Sequence, residues 1–106
     1  MEKKEKIKNL IHLAIKAKKV SFGQDNSFSL MKRGKVKLIL IDKSLSENSV
    51  KKVTIAANRY KVKYLFYNGN MGEEIKFGVK IISILDKNFA RPIFDMLRGK
   101  NGNESS

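Results

Sequence analysis

The sequence predicts an α/β fold, with helices on both faces of a small sheet of about four strands. Helical stripes alternate along the chain with short apolar runs, and the run Leu38–Ile41 has the length and composition of a strand buried on both faces. The chain has 106 residues, which suits one domain. Because no repeat or linker divides it, we expect a single domain over residues 1–98 and a disordered tail over residues 99–106, which lack packing residues.

The first half of the chain predicts two helices, each followed by a strand. The first helix is indicated by apolar residues at the spacing i, i+3, i+4, i+7 and i+8, namely Ile7, Leu10, Ile11, Ala14 and Ile15. Residues 19–23 predict a short strand. We expect a second helix from the N-cap residue types at 24–27 to Gly34, where a left-handed residue would end it. Residues 37–42 predict the buried strand.

The second half predicts further alternation of helices and strands. In order, these are a helix that begins at residues 46–49, a strand over 63–67, a short helix over 71–76 and a strand over 79–85. Pro92 lacks a backbone N–H and has a fixed φ, so we place it in the first turn of a closing helix.

Composition excludes several kinds of site. The chain has no cysteine, which excludes disulfides, thiolate metal sites and a cysteine nucleophile. The single histidine, His12, leaves little for metal or triad chemistry, and Glu73 and Glu74 are interpreted as a solvated helix face. No nucleotide-binding or hydrolase motif occurs, and no segment resembles a signal peptide or a membrane span. We therefore predict a cytoplasmic non-enzyme with no cofactor, metal, small-molecule substrate or membrane partner.

Positive charge is concentrated in the first part of the chain. The 23 Lys+Arg and 10 Asp+Glu give a formal net charge of +13. Residues 1–63 contain 17 Lys+Arg and 5 Asp+Glu, whereas residues 64–106 contain 6 and 5. Such asymmetry is typical of a protein that meets a polyanion. A lysine-rich genome is the alternative explanation, since 19 of the basic residues are lysines.

The turn at Gly23 is the best candidate binding site. It leads into the N-terminus of the second helix, where unpaired N–H groups can bind phosphate, and the side chains of Gln24, Asp25 and Asn26 can read base edges. The basic residues that bracket the turn are Lys18, Lys19, Lys32, Arg33, Lys35 and Lys37. The structural alternative is that Asp25 or Asn26 only caps the helix. RNA is favoured over duplex DNA because no motif for the major groove is present.

The order of short motifs resembles the ribosomal protein L7Ae/L30e family, and within it the small bacterial YlxQ-like proteins, over about residues 4–97. The motifs are Val20-Ser21-Phe22-Gly23, Gly34 to Leu40, Ser46-Glu47-Asn48, Met71-Gly72 with Ile75-Lys76, and Ile81 to Asp86 with Phe89-Ala90. This resemblance implies a three-layer α/β/α sandwich, with a small mixed sheet of about four strands, that binds a kink-turn or a related RNA.

The resemblance also implies two contact segments. In the family, a G-x-N-E-x-x-K stretch at the second helix reads sheared G·A pairs; Gly23 matches its glycine, while Asp25, Asn26 and Ser29 replace its Asn, Glu and Lys. The second segment is the loop over residues 75–80. The predicted RNA-binding residues are Lys18, Lys19, Gly23, Gln24, Asp25, Asn26, Lys32, Arg33, Lys35, Lys76, Phe77 and Lys80.

The leading functional hypothesis is a non-catalytic RNA-binding protein, ribosome-associated or similar to a ribosomal protein, that recognises a kink-turn or a similar internal loop. Ribosomal proteins are candidate further partners. A protein-interaction module on the same fold, without specific RNA binding, is the main alternative. A third hypothesis is an RNA-docking domain that serves a modification enzyme on a partner chain.

Overall fold

The computed structural model describes residues 2–99, which form a four-stranded sheet flanked by helices. In chain order, the elements are α1 (Lys3–Lys16), β1 (Val20–Phe22), α2 (Gln24–Lys32), β2 (Leu38–Ile41), α3 (Glu47–Arg59), β3 (Lys63–Phe66), α4 (Met71–Glu74), β4 (Ile81–Ile84) and α5 (Lys87–Leu97). Each predicted element is present, and the strands are shorter than expected. The predicted tail lies, apart from Gly99, outside the described residues.

The direction of the strands distinguishes two ends of the sheet. The strand order is β1-β4-β2-β3, with β2 and β3 parallel and β4 antiparallel to both β1 and β2. The ends of β1, β2 and β3 therefore meet the beginning of β4, at what we call the front end of the sheet. At the opposite rear end, β1, β2 and β3 begin and β4 ends.

Helices cover both faces of the sheet. One face packs against α1 and α5, and the other packs against α2 and α3. The first core includes Ile7, Ile11, Leu38, Leu40 and Ile93, and the second includes Met31, Ile39, Ile41, Val53 and Ala57. Alternate residues of β2 thus enter opposite cores, and each buried Leu or Ile contributes about 1.5–3 kcal/mol. The predicted α/β/α sandwich and its strand buried on both faces are confirmed.

The end of α2 follows the sequence rule that predicted it. Gly34 has a φ of +70°, its N–H donates to the carbonyl of Met31, and the N–H of Lys35 donates to the carbonyl of Leu30. This pair of hydrogen bonds is a Schellman motif, which a residue with a positive φ allows. Gly34 therefore ends the helix as expected.

The prediction for Pro92 is wrong. Pro92 lies in the interior of α5, because the helix begins at Lys87 after an N-cap at Asp86, whose carboxylate accepts a 2.8 Å hydrogen bond from the N–H of Asn88. Pro92 cannot donate to the carbonyl of Asn88, which belongs to an exposed residue that water can reach. The strong cap therefore sets the start of the helix. Within residues 2–99, no helix is long and apolar enough to cross a membrane.

Candidate nucleic-acid interface

Both contact segments predicted from the sequence lie at the front end of the sheet. The N–H of Gly23 donates a 3.0 Å hydrogen bond to the carbonyl of Ile81, the first residue of β4. The turn at Gly23 and the loop over residues 75–80, which leads into β4, are therefore neighbours. The Nζ atom of Lys76 lies 5.7 Å from the ring centroid of Phe22, so the loop also reaches across to β1.

Gly23 is the N-cap of α2, and its backbone conformation requires glycine. Its φ of +93° and ψ of 164° fall in a region that residues with a Cβ almost never adopt. No side chain caps the first turn of α2, so its N–H groups remain available to an outside acceptor. The positive end of the helix dipole at this position favours an anion.

The polar side chains after Gly23 are not helix caps. Asn26 uses its Nδ2 to donate a 3.0 Å hydrogen bond to the carbonyl of Phe22, which fixes the amide, while its Oδ1 makes no hydrogen bond within residues 2–99. Asp25 is exposed and Gln24 is half-buried. Because Gly23 occupies the N-cap, the alternative in which Asp25 or Asn26 only caps the helix is wrong.

The loop over residues 75–80 presents an aromatic side chain to solvent. The N–H of Val79 donates to the carbonyl of Lys76, and Gly78 has a φ of +81°, as in a type II turn. Phe77 occupies the tip of this turn and is 95% exposed. Lys76 and Lys80 flank it and are exposed as well. A large aromatic ring with almost no protein contact, between two lysines, is well placed to stack on an unpaired base.

Asp42 anchors both ends of the segment that contains this loop. Its Oδ1 accepts a 2.8 Å hydrogen bond from the N–H of Met71, the first residue of α4, and its own N–H donates to the carbonyl of Lys80. Its Oδ2 accepts from both the N–H and the hydroxyl of Ser44. Burial alone would raise the pKa of Asp42, but the hydrogen bonds from Ser44 and Met71 and the charge of Lys80 together hold it below its ordinary value.

Glu74 holds the segment between β3 and α4. Its Oε1 accepts a 2.7 Å hydrogen bond from the buried hydroxyl of Tyr67, and its Oε2 accepts from the N–H of Asn70 at 3.2 Å. The Nζ of Lys4 lies 3.6 Å from the same carboxylate. His12 donates from Nε2 to the carbonyl of Glu74, which gives the single histidine a structural contact. The interpretation of Glu74 as part of a solvated face is therefore wrong, although Glu73 is exposed.

The hydrogen bond between Tyr67 and Glu74 shifts the pKa of both groups. The hydrogen bond from Tyr67 lowers the pKa of Glu74. Burial acts in the opposite direction, and the N–H of Asn70 and the charge of Lys4 lower the pKa further. Burial raises the pKa of Tyr67, and the bonded carboxylate of Glu74 raises it further. At neutral pH the pair is therefore a neutral phenol that donates to a carboxylate.

Sequence reasoning missed Asp42, Tyr67 and Glu74 as residues that position the segments of the candidate interface. Asp42 had a detectable signal, because a carboxylate directly after four buried apolar residues must find hydrogen bonds where the strand ends. The pairing of Tyr67 with Glu74 depends on the turn between β3 and α4, which no local pattern specified.

Comparison with known proteins identifies the family of this chain. The model of the ribosomal protein L7Ae/L30e/S12e/Gadd45 family matches residues 5–90 of the chain. The chain belongs to this family. Its relatives include the RNA-binding protein YlxQ of Bacillus subtilis (strain 168), 30% identical over 94 residues that cover 83% of this chain and 91% of the relative. The RNA-binding protein YlxQ of Enterococcus faecium is 29% identical over 98 residues, covering 91% and 95%.

Solved structures share the L7Ae/L30e fold of this chain. A protein of unknown function from Bacillus halodurans superposes with a TM-score of 0.81 at 20% identity, covering 88% of this chain and 97% of that one. The Giardia lamblia 15.5kD RNA binding protein superposes with a TM-score of 0.72 at 16% identity, covering 92% and 88%. The family resemblance seen in the sequence is confirmed.

The structure separates the predicted binding residues of this L7Ae/L30e-family protein into two groups. Those at the front end are Gly23, Gln24, Asp25, Asn26, Lys76, Phe77 and Lys80. Those toward the rear end are Lys18, Lys19, Lys32, Arg33 and Lys35. The nine residues of α2 span about 13 Å between Gly23 and Arg33. Lys32, in the last turn of α2, lines a shallow groove against α3.

No group of three or more His, Asp or Glu side chains is arranged to hold a metal ion in the described part of the chain. The features of the front end are instead hydrogen-bond donors, an exposed aromatic ring and lysines, which suit contacts with phosphates and bases.

Proposed function

We propose that this protein is a non-catalytic RNA-binding protein, and that its front end binds an internal loop of RNA such as a kink-turn. The observation that supports the proposal best is the placement of the N-terminus of α2 beside the loop that presents Phe77. Two relatives with names that describe RNA binding, both YlxQ proteins, support the choice of RNA.

Different groups of the front end would make different contacts. The N–H groups at the start of α2, with Lys76 and Lys80, would bind phosphates and set the position of the RNA. Asn26, held by its bond to Phe22, and the exposed carboxylate of Asp25 would accept hydrogen bonds from base edges. A carboxylate accepts but cannot donate, so Asp25 would contact base edges that present N–H donors, such as the amino groups of guanine and cytosine.

Phe77 would supply a stacking surface for an extruded base. Base–aromatic stacking contributes about 1–3 kcal/mol per base, and an internal loop provides bases that are free to leave the helix. We place the RNA in the ribosome or its assembly, in the cytoplasm, with ribosomal proteins as neighbours.

The experiment compares two RNAs at fixed salt. One is a kink-turn, and the other is the same sequence with its sheared G·A pairs replaced by Watson–Crick pairs. We expect tighter binding of the kink-turn, and we expect Phe77→Ala to weaken it by about 5- to 150-fold. Leu13→Ala is the matched control, because it removes an exposed apolar side chain of α1 outside the front end.

Three results would contradict parts of the proposal. Equal binding of both RNAs would show that the protein binds RNA without reading a kink. An equal effect of Phe77→Ala and Leu13→Ala would remove the stacking role. Absence of binding to either RNA would overturn the proposal and favour a protein-interaction module on this fold.

A further inference from the structure

The positive charge of the molecule lies mainly at the rear end of the sheet, opposite the proposed front-end interface. At the front end, lysines and carboxylates occur together: Lys43, Lys76 and Lys80 share this end of the sheet with Asp25, Asp42, Glu73 and Glu74, and Lys4 forms an ion pair with Glu74. The excess of positive charge in residues 1–63 therefore does not lie at the front end, where the family resemblance implies that RNA binds. It belongs to a second surface.

That surface contains a groove between the beginnings of β2 and β3 and the helix α5. The groove has a volume of about 640 Å³, and its cationic lining residues are Lys37, Lys61, Lys63, Lys87, Arg91 and Arg98. Asp95 is the one carboxylate among the described residues that line it. Lys18, Lys19, Arg33 and Lys35 extend the positive surface along the same end of the sheet.

None of the cations that line this groove forms an ion pair within residues 2–99, although Asp95 lies in the same lining. Within residues 2–99, the ion pairs join Lys4 to Glu74 and Lys8 to Glu5, both on other surfaces. The six positive charges around this groove repel each other. A groove lined by charges of one sign also attracts a polyanion and raises its local concentration. An arrangement that serves solubility alone would intersperse both signs.

An aromatic ring holds two of these cations in place. The Nζ of Lys63 lies 4.6 Å and the Cζ of Arg98 lies 5.2 Å from the ring centroid of Phe94. Both charges are therefore within about 10 Å of each other, which is the Debye length at 0.1 M salt, so salt screens their repulsion incompletely. The ring reduces the freedom of both side chains before a ligand arrives.

We propose that this rear groove binds the phosphate backbone of a second RNA segment, so that the protein bridges two segments of RNA. The charge complementarity favours a polyanion, and the concave shape favours a strand over a flat membrane surface. A lining dominated by Lys and Arg suits contacts with phosphate rather than sequence readout. This inference goes beyond the front-end function: binding of phosphate in the groove does not depend on that function, whereas the bridge between two segments rests on it.

The test uses the full chain and an unstructured oligouridylate of about 12 nucleotides as the probe, a length that one small domain can cover. The rear variant combines Lys37→Glu with Arg91→Glu, since both residues are exposed and make no hydrogen bond or ion pair through their side chains in the described structure. The control variant combines Lys6→Glu with Lys51→Glu, which makes the same charge change on exposed faces of α1 and α3.

We expect the rear variant to weaken oligouridylate binding by about tenfold or more and to reduce the salt slope by about 0.7 for each phosphate that the protein ceases to neutralise. The control variant should change binding by less than about threefold. Lys37→Gln combined with Arg91→Gln should weaken binding in the same direction with a smaller charge change. Because the rear variant relieves repulsion, we also expect its thermal midpoint at low salt to rise.

Several outcomes would overturn the inference. Equal losses in the rear and control variants would show that binding follows net charge and not the groove, and unchanged binding in both would show that the groove holds no RNA. Polyglutamate that binds as tightly as the oligouridylate, and depends on the same residues, would identify an acidic protein segment as the occupant. The rear variant should keep the ratio of kink-turn to Watson–Crick binding, so failure of this inference is distinct from failure of the front-end proposal.

Discussion

The Asp42 carboxylate accepts a 2.8 Å hydrogen bond from the N–H of Met71, 29 residues away in sequence. The backbone N–H of Asp42 donates to the carbonyl of Lys80. Asp42 therefore holds both ends of the segment from Met71 to Lys80, which presents Phe77. We expect Asp42→Ala to lower the free energy of unfolding by about 2–3 kcal/mol, because it leaves the N–H of Met71 buried without an acceptor. Urea denaturation at neutral pH measures this loss.

Asp25→Ala is the matched control for that substitution. Asp25 is also a carboxylate at the front end, but it is exposed and caps nothing. Its replacement should change the free energy of unfolding by less than about 0.5 kcal/mol. A loss as large as that of Asp42→Ala would contradict the assignment of Asp42 as the anchor.

Stability should fall in acid, partly through Glu74. The pKa of Glu74 lies below its ordinary value of 4.5, first because Tyr67 donates to it. A lowered folded-state pKa stabilises the fold above the unfolded value, and that stabilisation is lost as the pH falls through the folded-state value. Tyr67→Phe should therefore cost about 1–2 kcal/mol at pH 7, and the difference from the parent protein should shrink below about pH 4. Urea denaturation across this pH range measures both quantities; a constant difference would contradict the pairing.

Gly69 leaves room for the Glu74 carboxylate, which lies where a Cβ at this position would be and is held there by its hydrogen bonds. A Cβ at this position would lie 2.6 Å from Oε2 of Glu74 and 2.7 Å from its Oε1. We expect Gly69→Ala to displace the carboxylate and lower the free energy of unfolding by about 1–2 kcal/mol. In a Glu74→Ala background the same substitution should cost less, because the obstructing group is gone. A double-mutant cycle measures this coupling, and strictly additive losses would show that the contact does not matter.

Ser83 places a hydroxyl in the core without a hydrogen-bond partner among the described residues. Its hydroxyl is buried in β4 and makes no hydrogen bond within residues 2–99. We expect Ser83→Ala to leave the free energy of unfolding unchanged or to raise it by up to about 1 kcal/mol, since burial of an unpaired hydroxyl is unfavourable. A loss above about 1 kcal/mol in urea denaturation would indicate that a buried water bonds this group.

The layers of the fold follow from local patterns, but the position of the charges does not. The apolar stripe of α1 and the run Leu38–Ile41 predicted a helix and a doubly buried strand because periodicity and burial are properties of neighbouring residues. Gly23 and Gly34 likewise predicted their turns. The partition of the lysines between two ends of the sheet depends on strand order, with β4 inserted between β1 and β2.

The residues that support the interface depend on the same long-range pairing. Asp42 finds Met71, and Gly23 finds Ile81, only after the sheet has formed. Lys18 and Lys19 precede Gly23 by a few positions in sequence. They nevertheless lie at the rear end, because β1 begins directly after Lys19 and runs to the front end before Gly23. Proximity in sequence therefore overestimated the positive charge around Gly23.

Gly23 itself provides the sharpest test of the front end. Gly23→Ala should lower the free energy of unfolding by about 1–3 kcal/mol through backbone strain alone, since nothing lies within 4 Å of the added Cβ. Gly34→Ala is its matched control: Gly34 also has a positive φ and equally open surroundings, but it lies at the rear end of α2. Both variants should lose stability in urea denaturation, and Gly23→Ala should lose more, because its φ and ψ are open almost only to glycine whereas Lys18 and Lys61 adopt a φ close to that of Gly34. Only Gly23→Ala should reduce the preference for the kink-turn over its Watson–Crick copy, because it redirects the first turn of α2 away from the loop of Phe77. A reduction of that preference in both variants would show that it reflects general stability and not the geometry of this turn.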